Sequence, residues 1–264
     1  MHETLSSLVE RAFLENQRPL EFYLREQSHL PGARANLGLM NDLSNLMAAV
    51  VGKRPHDVRA LLRYLVRDEE SPKSNTPDEF VVMCGVVSFG ACAAVHPDWC
   101  PEVFLLLGDF ACSSSWRVRE GSAIGFQRLL SAAPEETIAY LRILASEGNY
   151  LQQRACIAAL AEPPLLHTDE MKEAALDIQR TILQRFREIP LIERKREDVK
   201  VLRQATAYTI SVIVAALPEQ GFALMCECAL WGDPDITWAL RENLKKKRLA
   251  KFTEQAEHVS KFLA

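Results

Sequence analysis

The sequence lacks the residue patterns on which most enzyme and metal sites are built. Its eleven glycines are mostly isolated, so no glycine-rich loop is available to hold a phosphate group. The six histidines are dispersed along the chain without a pattern that suggests zinc, and no Ser-His-Asp order or Gly-x-Ser-x-Gly turn is present. We therefore predict no catalytic residues, no bound metal and no cofactor, which favours a protein that is not an enzyme.

Long apolar stretches and a disulfide framework are lacking too. No apolar run approaches the roughly 20 residues of a membrane helix, and polar side chains interrupt the first residues, so we expect neither a membrane span nor a signal peptide. The seven cysteines are an odd number without the spacing of a small secreted domain. Only Cys226 and Cys228 are close, and they point to different sides of a helix. These features predict a cytoplasmic protein with reduced thiols in its core.

The chain has no large excess of either charge, but its cations are concentrated locally. The formal net charge is -4 and the isoelectric point is about 5.9. A dedicated nucleic-acid domain typically has an isoelectric point above about 9. Residues 241–251, however, contain six lysines and arginines and a single acid, Glu242. This run is a local basic patch on a mildly acidic chain.

Apolar residues recur at helical spacing almost throughout, whereas alternating β-branched segments between turns are nearly absent. The thirteen prolines divide this pattern into segments of helix length, and a polar connecting loop is expected at 69–75. We predict an all-α chain of about 13 or 14 helices. From residue 98 onward the predicted helices are 98–112, 115–132, 134–147, 149–162, 168–189, 195–217, 218–231, 233–248 and 250–263.

Side chains that cap helices mark several of the predicted starts. Thr76, Asp98 and Asp233 stand where an N-cap is expected, and a proline follows Asp233 at a position that needs no amide donor. Asn36 is a further cap candidate after a Pro-Gly turn. We interpret that turn as structural, although Arg34 and Asn36 could instead contact a ligand.

One helix start recurs along the chain. The segment WRVRE at 116–120 is matched by WALRE at 238–242. A repeated segment in a helical chain is typical of stacked helix pairs, because one pair cannot bury its apolar face alone. We therefore predict a single domain over 1–264, a right-handed superhelix (α-solenoid) of antiparallel helix pairs. Two sub-blocks, 1–162 and 163–264, are the alternative.

The repeated segment resembles the second helix of a HEAT-type, armadillo-like repeat. That helix commonly opens with an apolar residue, an arginine and a small residue four positions later. Val118, Arg119 and Ala123 fit the pattern, and the segments at 153–158 and 240–244 fit it in part. The resemblance covers about half of the chain and implies a helical-repeat fold that serves as a binding scaffold.

The chain is also distantly similar to the helical-repeat family of bacterial DNA alkylation-repair glycosylases. This resemblance implies DNA binding along a concave basic surface, with a Trp-Asp-x-Val-Asp element on a central helix. The corresponding residues are 116–120, where Arg117 and Glu120 stand in place of the two aspartates.

Two stripes of aromatic and basic side chains are the candidate contact sites. An indole beside guanidinium and ammonium groups can hold an anionic or a peptide partner. In the alternative interpretation the tryptophans pack between helices, the cations of the last turn are solvated, and Arg119 bridges neighbouring repeats. The candidate residues, spaced by three or four within each stripe, are Trp116, Arg119, Trp238, Arg241, Lys245 and Arg248.

The hypothesis is a non-catalytic repeat scaffold that binds a protein partner along a concave groove. The alternative is a nucleic-acid-binding or DNA alkylation-repair-like protein that uses the same tryptophans and cations. A peptide-binding or chaperone-like module is a third possibility. None of these three hypotheses includes a membrane or a small-molecule cofactor.

Overall fold

The computed structural model describes residues 4–67 and 73–263, and these residues are all-α. Over them the chain forms fourteen α-helices and four short 3-10 helices, and no strand. The all-α prediction is therefore confirmed. Residues 69–72 of the predicted polar loop lie outside the described residues. The helices are α1 Leu5–Phe13, α2 Arg18–Glu26, α3 Leu37–Val51, α4 Pro55–Leu65, α5 Pro77–Val95, α6 Cys100–Phe110, α7 Trp116–Ala132, α8 Pro134–Glu147, α9 Tyr150–Leu160, α10 Asp169–Glu188, α11 Glu197–Ala216, α12 Pro218–Ala229, α13 Pro234–Leu244 and α14 Thr253–Phe262.

The chain divides into two compact units, Met1–Ala133 and Pro134–Ala264. The division falls between α7 and α8, not at residue 162, where the sequence suggested a boundary between sub-blocks. A single residue separates the end of α7 from the start of α8. The interpretation of 1–264 as one domain stays a prediction.

Helix α5 is the core of the first unit. It packs against α3, α7, α2, α4 and α6, and every residue from Glu79 to Ala93 is buried. A helix that is apolar on all sides must be covered on all sides. An 18-residue window of this helix has a mean hydropathy of 1.7, so by length and composition alone the helix could cross a membrane, and the expectation that no run has this length is wrong. In this structure 83% of that apolar window is buried inside the protein.

Glycine allows α5 and α7 to approach each other closely. A Cβ atom added to Gly90 would lie 2.6 Å from the Cα atom of Gly125 and 2.7 Å from its carbonyl oxygen. Because both contacts are to backbone, neither helix can relieve them by rotating a side chain. The crossing of these two helices, which positions the start of α7, therefore depends on Gly90.

Helix α11 takes the corresponding place in the second unit. It packs against α9, α13, α12 and α10, and its buried face carries polar residues as well as apolar ones. The Asn243 side chain donates to the carbonyls of Thr206 and Ala239 at 2.7 Å and accepts from the amide of Ser211 at 2.7 Å. These bonds satisfy a buried amide and fasten α13 to α11.

Most predicted helix starts are confirmed, but two of the predicted N-cap residues, Thr76 and Asp98, do not cap a helix through their side chains. Asp233 caps α13 through hydrogen bonds from the amides of Asp235 and Ile236, and Asn36 caps α3. Thr76 occupies the N-cap position of α5 without a side-chain capping bond. Asp98 lies inside a 3-10 helix at Pro97–Trp99, so its prediction as an N-cap is wrong.

Helix α13 ends at Leu244, four residues before its predicted end. The chain turns after Leu244 and forms a 3-10 helix at Lys247–Leu249, which buries Leu249. Local spacing does not reveal this turn, because lysine and arginine are good helix formers.

Candidate partner-binding site

A buried ion pair organises the start of α7 in the first unit. Arg117 Nη1 lies 2.8 Å from Glu79 Oε2, and the two side chains are 4% and 0% exposed. Glu79 also accepts hydrogen bonds from the Ser115 hydroxyl, from the Arg117 amide at 3.3 Å and from the Asn75 amide at 2.9 Å. A buried carboxylate needs this many donors because it has lost its water.

Arg117 connects this ion pair to the loop that precedes α3. Its Nη2 donates to the Gly32 carbonyl at 2.9 Å, and the Gly32 amide donates to Asn75 Oδ1 at 3.0 Å. The buried Nε of Arg117 has no hydrogen-bond partner among the described residues. The guanidinium carbon lies 4.5 Å from the ring centre of Trp116, a cation–π distance. Arg117 therefore fixes the loop and supports the neighbouring indole.

A mostly apolar pocket of about 470 Å³ lies beside these residues. We name it the Trp116 pocket. Trp116 and Leu37 are exposed apolar side chains in its lining, at 47% and 48% exposure. It is lined by residues 33–35 and Leu37 on one side, by Met83 of α5, and by Trp116, Arg117 and Glu120 of α7.

The first predicted stripe is split by the structure. Trp116 lies at the pocket, whereas Arg119 turns back toward the preceding loop, where its Nη1 donates to the carbonyls of Ser113 and Ser114 at 2.7 and 3.0 Å. Arg119 thus satisfies carbonyl groups of the connection between α6 and α7.

Three of the four residues of the second predicted stripe line the same pocket of the second unit. Trp238, Arg241 and Lys245 line a cavity of about 460 Å³ together with Ser260 of α14 and Leu263, which follows that helix. Arg241 donates to the Leu263 carbonyl, and Lys245 Nζ lies 2.5 Å from Glu242 Oε1. The hydrogen bond from Lys245 lowers the pKa of Glu242. Both cations therefore already have partners within the protein.

One face of the Trp238 indole is covered as well. The Arg203 guanidinium carbon lies 3.7 Å from the ring centre, and Arg203 Nε lies 2.6 Å from Asp235 Oδ1 in an ion pair. Arg248 is exposed on the 3-10 helix after α13. Its placement on the same helical stripe as Trp238 was therefore wrong.

Burial keeps several of the thiols protonated. All seven cysteines lie in the described residues, and none of them forms a disulfide. Burial raises the pKa of Cys92 and Cys228 to about 12, and it also raises the pKa of Cys84 and Cys156. A raised pKa keeps a thiol protonated and unreactive. Over the described residues no group of three or more His, Cys, Asp or Glu side chains could hold a metal ion.

Glu79 was not among the residues that the sequence pointed to. A local signal existed for Glu79, because an acid three residues after Thr76 matches the capping-box spacing. That spacing predicts a contact with nearby amides, and Glu79 does accept from Asn75. No local signal predicts its pairing with Arg117, which lies 38 residues away in the sequence.

No protein-family model matches the sequence, and no curated protein matches it either. Among solved structures, the chain is similar to the designed armadillo repeat protein YIII(Dq)4CqI. The sequence identity is 15% and the TM-score is 0.41, with 99% of this chain and 100% of that chain covered. The resemblance to DNA alkylation-repair glycosylases gains no support from these comparisons.

Proposed function

We propose that this protein is a non-catalytic binding protein that takes up a segment of a protein partner in the Trp116 pocket. One observation carries the proposal: a half-exposed indole stands beside an apolar pocket, on a helix start that a buried ion pair holds in place. Rigid aromatic side chains next to a pocket are typical of the residues that dominate protein–protein binding energy. A cytoplasmic location with reduced thiols is part of the same proposal.

The shape of the exposed surface favours a chain segment over a small ligand. Trp116 and Leu37 are each about half exposed, so apolar surface extends beyond the pocket. A small molecule seated inside would leave that surface in water. A peptide that crosses the pocket would cover both side chains and gain the corresponding apolar burial.

The contacts of the second unit make nucleic acid the weaker alternative. Arg241 and Lys245 already have partners, and Arg203 covers a face of the Trp238 indole that a base would need. A cation that already has a partner is less available to neutralise a phosphate, so binding would release fewer counterions from the nucleic acid. We expect no retention of duplex or single-stranded DNA at low salt. Retention that falls steeply between low and moderate salt would favour the nucleic-acid alternative instead.

The direct test is a selection of peptides from a random display library on the intact protein. We expect peptides that bind by fluorescence anisotropy, with an affinity that Trp116→Ala lowers at least about tenfold. Circular dichroism would verify that the variant keeps its helices.

Trp231→Ala is the matched control, because Trp231 is also a partly exposed tryptophan with an arginine over its ring, at 5.3 Å. It lies in the second unit, outside the Trp116 pocket, and should leave the affinity unchanged. The proposal is wrong if the selection yields no binder, or if both tryptophan variants bind the selected peptides equally well.

A further inference from the structure

The rim of the Trp116 pocket carries a positive charge, that of Arg34. Its lining contains three charged side chains, Arg34, Arg117 and Glu120. The charge of Arg117 is compensated by Glu79 at 2.8 Å. Glu120 already has a partner within the protein. Arg34 is exposed and forms no ion pair within the part of the chain that the structure describes.

The backbone that carries Arg34 is held on both sides. Before it, Gly32 is bonded through its amide to Asn75 and through its carbonyl to Arg117. After it, the Asn36 side chain accepts from the Leu39 amide at 3.1 Å and donates to the Gln27 carbonyl at 2.9 Å. A ligand that contacts Arg34 would therefore order a side chain only, not a loop, and preorganisation of this kind favours binding.

We infer that the Trp116 pocket selects a peptide segment in which an apolar side chain stands next to an aspartate or glutamate. The apolar side chain occupies the pocket beside Trp116, Leu37 and Met83. The carboxylate pairs with Arg34, whose planar guanidinium matches a carboxylate in two parallel hydrogen bonds. This inference rests on the proposed function and adds the chemistry of the partner.

The size of the pocket agrees with such an occupant. A cavity of about 150 Å³ takes up one benzene molecule, and the Trp116 pocket measures about 470 Å³. It therefore has room for a large apolar side chain together with adjoining backbone.

The preference for an acidic segment opposes the overall charge of the protein. With a net charge of -4, the whole chain attracts basic peptides weakly. A preference for acid must therefore come from a local cation, and this makes the inference testable by charge exchange at a single position.

The test uses the peptides selected on the intact protein and a synthetic set in which the acidic residue is replaced by lysine. Arg34→Glu should weaken the acidic peptide about tenfold and strengthen the lysine peptide, because the sign of the rim charge is reversed. Arg18→Glu is the matched control, since it makes the same charge change at another exposed arginine of the first unit. It should leave the preference for acid intact.

The outcomes separate this inference from the proposed function. If Trp116→Ala abolishes binding but Arg34→Glu leaves the ratio of acidic to lysine peptide unchanged, the acidic specificity is wrong and the binding function stands. If Arg18→Glu shifts the ratio as much as Arg34→Glu does, the preference is a general charge effect and the inference is also wrong. If no peptide binds at all, the proposed function fails first.

Discussion

At the scale of single residues, the Glu79–Arg117 pair joins stability to the proposed binding site. It fills the space between the start of α5, the start of α7 and the loop at Gly32 with charges that neutralise each other. Removing one partner of such a pair leaves the other charge buried, which costs far more than the pair itself contributes. The position of Trp116 depends on the same pair.

Glu79→Gln should lower the free energy of unfolding by on the order of 3 kcal/mol, because Arg117 keeps its charge without a counter-charge. Urea denaturation followed by circular dichroism measures the change. Glu26→Gln, at an exposed glutamate of α2, is the control and should change stability by less than about 0.5 kcal/mol. Equal midpoints for the two variants would show that the buried pair contributes little.

Glu21 gives the first unit a dependence on pH. Burial by itself would raise the pKa of Glu21. The hydrogen bonds from Tyr64 at 2.5 Å and from Arg67 at 2.9 Å outweigh that effect, so the pKa of Glu21 is lowered. A carboxyl group whose pKa is lowered by folding stabilises the native state above its unfolded pKa, about 4.3. The contribution is lost as pH falls through the folded value.

Glu21→Gln should therefore destabilise the protein at pH 7, and the difference from wild type should shrink as the pH falls below about 4. Urea denaturation at a series of pH values measures this difference. Glu26→Gln again serves as the control, since Glu26 is an exposed glutamate of the same helix. A difference that stays constant or grows toward low pH would contradict the assigned role of Glu21.

At the scale of helices, the crossing of α5 and α7 decides where the candidate site lies. Both Met83 and Trp116 reach the pocket from these two helices, and their relative position depends on the close approach at Gly90 and Gly125. Interiors packed to this density leave no room for an added methyl group.

Gly90→Ala should cost about 2 kcal/mol or more, because its Cβ would meet the backbone of Gly125 at 2.6 Å and force the helices apart. Gly52→Ala is the control: no atom lies within 4 Å of a Cβ there, and the backbone is already in the right-handed helical region. Thermal unfolding measures both variants. If Gly90→Ala is as stable as Gly52→Ala, the crossing is looser than the structure indicates.

At the scale of the whole molecule, the two compact units raise the question of whether they unfold cooperatively. Each contains two of the four tryptophans, Trp99 and Trp116 in the first and Trp231 and Trp238 in the second. Fluorescence can thus follow each unit separately once the tryptophans of the other unit are replaced by phenylalanine.

The prediction of a single domain requires the two units to unfold together. We expect the two double variants to unfold at the same urea concentration when each is followed by both fluorescence and circular dichroism. A fluorescence midpoint that departs from the circular-dichroism midpoint in either variant would show two domains that unfold independently. Comparison of the probes within one variant removes the effect of the substitutions on stability.

What could be predicted from the sequence was local. Helix starts such as Asp233 and Asn36 are determined by a side chain and the amides two or three residues on, so they can be identified one segment at a time. The sequence also pointed to Trp116 as a contact residue; it lies at a pocket, and its contact with a partner stays a prediction.

The tertiary structure alone decided which of those residues meet. It joined Arg117 to Glu79 and brought Arg34 to the same pocket as Trp116, and these pairs are far apart in sequence. It also buried α5, a helix whose length and composition alone would allow it to cross a membrane. The physical reason is that capping acts within one turn of a helix and periodicity within one helix. Burial and charge pairing depend instead on which helix surfaces face each other, and no short segment contains that information.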